Sequence, residues 1–316
     1  MQTPKLASPK TVGDFRQAFA SEESCFQYLI QSRWPEGFSC PGCPGSTHWY
    51  RPSRKRLVCQ SCRKETSPLA GTLLHRSHLP LQEWFWAAYL VATFTPGISA
   101  LPLQRQLGLG SYRTAWFVLN RLRHGMVNDS QTPLSGVVEV DATLIGGPVK
   151  HTRGRGGTHG THKALVVGAV ESRAYRVKNG KQQEKAGRLR LGVIQNADEE
   201  TLGAFLHKNV EPGSTIRSDG WRGYSKRALL GYTHDQRIVG APERAHPVAP
   251  HIHRVFSTLK TWLQGTHHGV DPKYLPGYLD EFVFRFNRRQ TPMAAFQTLL
   301  GITSNKTPLT LVQLKS

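Results

Sequence analysis

Val137-Val138-Glu139-Val140-Asp141-Ala142-Thr143-Leu144-Ile145 is a run of β-branched and apolar side chains with two carboxylates set into it, ended by Gly146-Gly147. That composition is the mark of a strand inside a sheet. Working outward, residues 164–170 and 189–194 read as a second and a third strand. Residues 199–210 read as a helix, 215–220 as a fourth strand ending in an acidic turn, and 232–238 as a fifth strand. Residues 251–264 and 273–288 have helical spacing. Three strands, a helix and further strands predict an α/β fold with a mixed sheet flanked by helices.

Asp141 lies inside the apolar strand, where a carboxylate is costly unless it is paired or binds a metal. Asp219 closes a separate short strand. Two strand-borne carboxylates in a basic chain are what divalent cations need to activate a hydroxyl and stabilise the leaving oxygen of a phosphodiester. Taken singly, each also fits a turn or cap residue, Asp219 before Gly220 above all. Glu139 shares a strand face with Asp141, because strand side chains alternate, and is an alternative ligand. Asp280 and Glu281 are candidates for a third carboxylate, but they sit on an amphipathic helix where Glu281 and Arg285 are spaced for an i,i+4 ion pair. His267 and His268 read as loop contacts. Residues 148–162, rich in Gly, Arg and His, read as an arm that gathers phosphates or as a plain linker.

The 316 residues carry 41 Lys and Arg against 21 Asp and Glu, a formal charge of +20. Such an excess points to a polyanionic partner, nucleic acid before anionic membrane. The most apolar run, 84–94, is shorter than the about 20 residues a spanning helix needs. The first 15 residues lack the apolar stretch of a secretory signal. A cytoplasmic, nucleoid-associated location is expected.

Cys40-Pro41-Gly42-Cys43 and Cys59-Gln60-Ser61-Cys62 are two CxxC knuckles with fifteen residues between them. Each brings two thiolates to one point, and together they complete a tetrahedral site for structural Zn²⁺. Arg51, Arg54, Lys55, Arg56, Arg63 and Lys64 surround it, which fits a DNA face or a solvated basic surface. Cys25, in the helical stretch 12–32, reads as buried filler. Residues 80–93, 99–107 and 111–126 read as helices, the last two joined by Gly108-Leu109-Gly110 as in a helix-turn-helix. Arg113 stands where a recognition helix meets DNA, with Arg121 and Arg123 off the apolar face; a simple packing pair has the same pattern. The expected division is 1–75 for an N-terminal helix and ribbon, 76–130 for the helical region, 131–303 for the sheet domain and 304–316 for a tail.

Several stretches resemble one family, the ISXO-like insertion-sequence transposases. Val138-Glu139-Val140-Asp141 with Ile145-Gly146-Gly147 resembles their first acidic motif, and Ser218-Asp219-Gly220 with Tyr224 their second. His253-Arg254-Val255-Phe256-Ser257-Thr258-Leu259-Lys260, followed by Trp262-Leu263 and Gly265-Thr266-His267-His268-Gly269, is similar to the third. Tyr278-Leu279-Asp280-Glu281-Phe282 with Phe284-Arg285-Phe286-Asn287-Arg288-Arg289 resembles the terminal helix. The resemblance implies an RNase H-like core that cuts double-stranded DNA at element ends and joins 3′-hydroxyls to a target. It implies Asp141 and Asp219 as ligands of catalytic Mg²⁺ or Mn²⁺, and His253 at the position that holds Glu in the wider DDE superfamily. Lys260, seven residues and close to two helical turns later, shares His253's face and is expected against a phosphate. Ala142 stands where the family often has an acidic residue and Leu144 where it often has an aromatic. An inactive or domesticated copy, acting only as a zinc-containing DNA-binding protein, is the alternative. A homodimer or higher oligomer on DNA is expected by analogy.

Overall fold

A computed structural model of the chain describes residues 9, 11–127, 132–146, 163–177, 179–237 and 248–305. The chain divides into two compact units, one of residues 1–127 and 288–316, the other of 128–287. Among the described residues no helix is long and apolar enough to cross a membrane.

In the first unit, the expected helical stretch 12–32 is two helices, α1 (Val12–Ala18) and α2 (Glu22–Arg33). Thr11 with Asp14, and Ser21 with Ser24, form reciprocal capping boxes, so Ser21 starts a new helix where the apolar spacing alone reads through. Cys25 is fully buried, as expected, and that burial pushes its thiol up to about 12. Strands β1 (His48–Arg51), β2 (Arg56–Cys59) and β3 (Glu65–Thr66) form a small antiparallel sheet in that order. Helices α3 (Leu81–Thr93), α4 (Ala100–Gln106) and α5 (Tyr112–Met126) follow, and the C-terminal helix α9 (Pro292–Asn305) completes the unit. Phe15, Phe19, Tyr28, Phe85, Tyr89 and Phe296 pack ring on ring in its core. Arg121 and Arg123 correct the reading of α5, because both are buried. Arg121 lies over the Phe117 ring at 4.6 Å and donates to the His75 carbonyl at 3.3 Å, so α5 is covered on more of its circumference than its apolar stripe indicates.

The second unit runs β4 (Val137–Ile145), β5 (Ala164–Arg176), β6 (Gln182–Ile194), α6 (Glu199–Asn209), β7 (Thr215–Ser218), β8 (Thr233–Gln236), α7 (Pro250–His267) and α8 (Leu275–Asn287). The strand order is β6-β5-β4-β7-β8. β4, β5 and β6 pair antiparallel, while β7 joins β4, and β8 joins β7, in parallel. This is the α/β mixed sheet expected, consistent with an RNase H-like domain behind a ribbon. One face packs Val166, Val170 and Leu189 against Ile252, Phe256 and Leu259 of α7 and Phe282 of α8. The other packs Val138, Val140, Val167 and Ile216 against Leu202 and Leu206 of α6 and Tyr224. β5 and β6 extend well past the expected ends as a polar hairpin. There Glu171 accepts from Arg173 at 2.6 Å, Arg188 at 2.5 Å and the Ser135 N–H at 3.2 Å, which secures a stretch with no apolar alternation to read.

Candidate functional site

Strand β4 lies between β5 and β7, and alternate side chains on one of its faces meet α7 in succession. Glu139 Oε2 accepts the backbone N–H groups of His251 at 2.7 Å and Ile252 at 3.1 Å, in the first turn of α7. The N-cap residue there, Ala249, has no side chain able to cap, so the strand glutamate satisfies those donors and meets the positive end of the helix dipole. Two residues on, Asp141 Oδ2 lies 3.1 Å from His253 Nε2. Two further on, Thr143 Oγ1 accepts from Lys260 Nζ at 2.7 Å. Gly168, paired with Asp141 on β5, lets α7 seat this closely. A Cβ there would lie 2.8 Å from Ile252 Cδ1 and 3.0 Å from Phe256 Cε1.

Asp141 also accepts from the Ala142 N–H at 2.7 Å. Burial raises its pKa above the ordinary carboxylate value and the charge of Asp219 adds to the rise, against the lowering pull of that N–H and of His253. Asp219, at the end of β7, accepts from the Trp221 N–H at 3.0 Å. Burial likewise raises the Tyr224 phenol, with the charges of Asp141 and Asp219 contributing. The structure thus pairs Asp141 with His253 directly, and it does not bring Asp219 within 4.8 Å of both. Among the described residues, the sets of three or more metal-type donors lying within 4.8 Å of one another are the four ribbon cysteines and Glu139–Glu184–His251.

The second of those sets was not foreseen. Its positive charge is already in place, because the buried Arg217 Nη1 lies 2.9 Å from Glu184 and 3.5 Å from Glu139, and its Nε lies 2.9 Å from Asp235. It is an ion network that ties β4, β6, β7 and β8 to the start of α7. Glu139 is engaged there through Arg217 and the first turn of α7. The period-two rule put Glu139 and Asp141 on one face, but nothing local in the sequence points to Arg217 or Glu184. Gly168, a glycine inside an apolar strand, was a readable sign of close approach.

In the ribbon, Cys40 Sγ lies 3.5 Å from Cys62 Sγ and Cys43 Sγ 3.6 Å from Cys59 Sγ. Tetrahedral zinc with bonds of about 2.3 Å holds its sulfurs about 3.8 Å apart, so the four thiols fit the ion after a slight expansion. The backbone N–H groups of Cys62 and Ser61 hold the Cys59 thiol down, to about 6. Gly45 leaves the room this needs, since a Cβ there would lie 3.1 Å from Cys59 Sγ and 3.2 Å from Cys43 Sγ. Glu65 is shared by Arg51, Arg54 and Arg56, which leaves the ribbon surface positive.

Ser111 caps α5 and accepts from the Arg113 N–H at 3.2 Å, leaving Tyr112, Arg113 and Thr114 exposed at the helix start. Glu281 and Arg285 form the expected i,i+4 pair at 3.6 Å. His267 packs edge-on against Trp262 and Tyr278, and His268 ends α7 in the left-handed conformation. The arm expected at 148–162 lies outside the described residues.

Residues 133–287 match the ISXO2-like transposase domain and residues 20–65 match the transposase zinc-ribbon domain. The chain is also 25% identical over 290 residues, 85% of its length and 92% of the other's, to an "Uncharacterized protein in transposable element ISH50" of Halobacterium salinarum.

Proposed function

We propose, for a chain that belongs to the ISXO2-like insertion-sequence transposases by its transposase domain at 133–287 and its zinc ribbon at 20–65, that it cuts element ends and joins them to target DNA at Asp141, Asp219 and His253. One observation carries this reading: the 3.1 Å between His253 Nε2 and Asp141 Oδ2. It is close to the separation of two neighbouring ligands on an octahedral ion with bonds of about 2.1 Å. The raised pKa of Asp141, from burial first and the charge of Asp219 after it, supports it too, because a divalent cation bound there would offset both. Bound there, Mg²⁺ or Mn²⁺ would activate the attacking hydroxyl and stabilise the leaving oxygen.

The chain's own groups have separate tasks. Asp141 and Asp219 hold negative oxygens at the reacting phosphate. His253 offers a neutral nitrogen lone pair, which suits Mn²⁺ better than Mg²⁺. Lys260, exposed beside Thr143, neutralises a substrate phosphate. The cysteine quartet holds structural Zn²⁺. The exposed start of α5, with Arg113, and the basic ribbon surface grip double-stranded DNA. The segments 1–75, 76–130 and 131–303 divide these tasks, the last without residues 288–303, which cluster with the first unit, at the nucleoid and as a homodimer or larger assembly on paired ends.

The test is strand transfer from a candidate end sequence with Mg²⁺ and with Mn²⁺. Asp141→Ala and Asp219→Ala are each expected to abolish joined product while duplex binding persists. Wild-type joining by either variant would remove that residue from the mechanism, and hydrolysis with no joined product would make the enzyme a nuclease.

A further inference from the structure

The segment after Asp219 is fixed on its inner side and open on its outer side. Tyr224, Ala228 and Leu229 are buried. Gly223 is packed so tightly that a Cβ would lie 2.4 Å from the Ala197 carbonyl oxygen and 2.9 Å from Trp221 Nε1. Trp221 donates its ring N–H to that carbonyl at 2.7 Å and its backbone N–H to Asp219 Oδ1 at 3.0 Å. The residue is therefore held by its backbone and by its ring N–H, yet it is 55% exposed. Tryptophan is the side chain with most to gain from burial, and here its ring is ordered without being covered.

Its neighbours are cationic. Arg222, Lys226 and Arg227 are exposed along the same segment. Arg227 meets Glu199 at 3.6 Å with its guanidinium side chain 90% exposed, a pairing too solvated to cancel its charge. A fixed aromatic face among exposed cations is the chemistry that binds unpaired nucleic acid, with phosphates on the cations and a base on the ring. A base inside a duplex shows only its edges, and its faces are covered by its neighbours. It becomes available to an indole once it leaves the stack, which is easiest beside an interrupted strand.

We propose that Trp221 is a stacking platform for an unpaired nucleobase next to the scissile phosphate, with Arg222 and Lys226 on the flanking phosphates. The proposal rests on the reading of Asp219 as a carboxylate at the reacting phosphate, because Trp221 is bonded to it through the backbone. Ordering the ring in advance lowers the entropy cost of gripping the base.

The experiment uses the full chain with Ca²⁺ replacing Mg²⁺, so that no bond need be broken. Two probes share one sequence: a blunt duplex, and a duplex carrying a five-nucleotide single-stranded flap whose first unpaired base is 2-aminopurine. Wild-type protein is expected to prefer the flap and to quench the 2-aminopurine. Trp221→Leu is expected to lower the flap-over-duplex selectivity about tenfold, the order that loss of one base–aromatic stack produces, and to abolish the quench. Trp221→Phe, which keeps a ring but loses the N–H, retains most of both. Absence of quenching by the wild type overturns the proposal without recourse to any variant. So does wild-type selectivity in Trp221→Leu, or an equal loss in Phe and Leu, which would make the bond to Ala197 the whole role. Unchanged selectivity with lost self-association would reassign the surface to contact between copies of the chain. A null result leaves Asp219 standing in the strand-transfer assay, and a failure there leaves this binding test readable.

Discussion

Two carboxylates in the second unit carry opposite signs of strain. Glu171 is 2% exposed and held by the side chains of Arg188 and Arg173 and by the backbone N–H groups of Arg188 and Ser135, and these bonds bring its pKa down to about 2 against the cost of burial. Its folded pKa is below the unfolded one, so its contribution is complete above about pH 4.5 and is lost as pH falls towards about 2. At neutral pH it amounts to at most roughly 3 kcal/mol, less what the half-exposed Arg173 loses to solvent screening. Urea unfolding should show wild-type stability falling between pH 5 and 3, with Glu171→Gln less stable at pH 7 and flatter across that window. An identical slope in the variant would assign the acid sensitivity elsewhere. Asp141 has the reverse sign: burial and Asp219 raise its pKa, so its ionised form costs stability at neutral pH, a cost that disappears on acidification. A residue kept for chemistry at the expense of the fold is expected to behave so. Asp141→Asn should therefore melt no lower than wild type without added divalent cation, and lose the stabilisation that Mn²⁺ gives the wild type. A clear drop in melting temperature for Asp141→Asn would mean that the carboxylate is part of the fold's ion pairing and not strained.

At the level of elements, the site depends on how closely helix α7 approaches strand β4, and Gly168 sets that approach. Adding one methyl there brings a carbon to 2.8 Å from Ile252 Cδ1, 2.9 Å from Leu191 Cδ2 and 3.0 Å from Phe256 Cε1. Overpacking of this kind costs about 1–3 kcal/mol, but displacing the helix also loosens the His253–Asp141 and Lys260–Thr143 contacts together. A misplacement of about 1 Å can cost about 100-fold in rate, so Gly168→Ala should lose far more strand transfer than stability. Adding Ile252→Val, which removes the nearest methyl, should recover part of the rate. A Gly168→Ala enzyme with wild-type turnover would show that α7 has slack. This helix also marks how far the sequence can be read. Its presence, the strand at 137–145, the zinc knuckles and the pairing of Glu281 with Arg285 followed from local periodicity and spacing. The adjacency of Glu139 to the start of α7 did not, because a strand side chain capping a helix over a hundred residues later leaves no local trace. The break at Ser21 is hidden in the spacing because two capping boxes outweigh a continuous apolar stripe, and helix α9 lies beyond the motifs that carry the resemblance. The outer halves of β5 and β6 were missed because charged side chains, not apolar alternation, line that hairpin.

For the whole molecule, the division into two compact units implies that they depend differently on metal. The ribbon's own core is small, with Phe38, Leu57 and two of the cysteines at its centre. A core of that size does not hold a fold by itself, and in small metal domains the ion supplies the missing stability, apparent values for zinc-finger peptides being about 10–16 kcal/mol. The 128–287 unit has apolar layers on both faces of a five-stranded sheet and needs no metal to fold. Removing zinc with a strong chelator should therefore unfold the 40–65 ribbon while the second unit keeps its melting transition, so that calorimetry shows the first unit's transition weakened and the second's in place. Cys59→Ser should do the same without chelator, because it removes a fully buried sulfur at the end of β2. Duplex affinity should fall in both cases, and its dependence on salt should flatten as basic contacts from the ribbon are lost. If the two transitions moved together on chelation, the ribbon would be coupled to the second unit in folding. If affinity and salt slope stayed at their wild-type values, the ribbon's role would be stability alone, and the grip on DNA would belong to the helical region and the sheet unit.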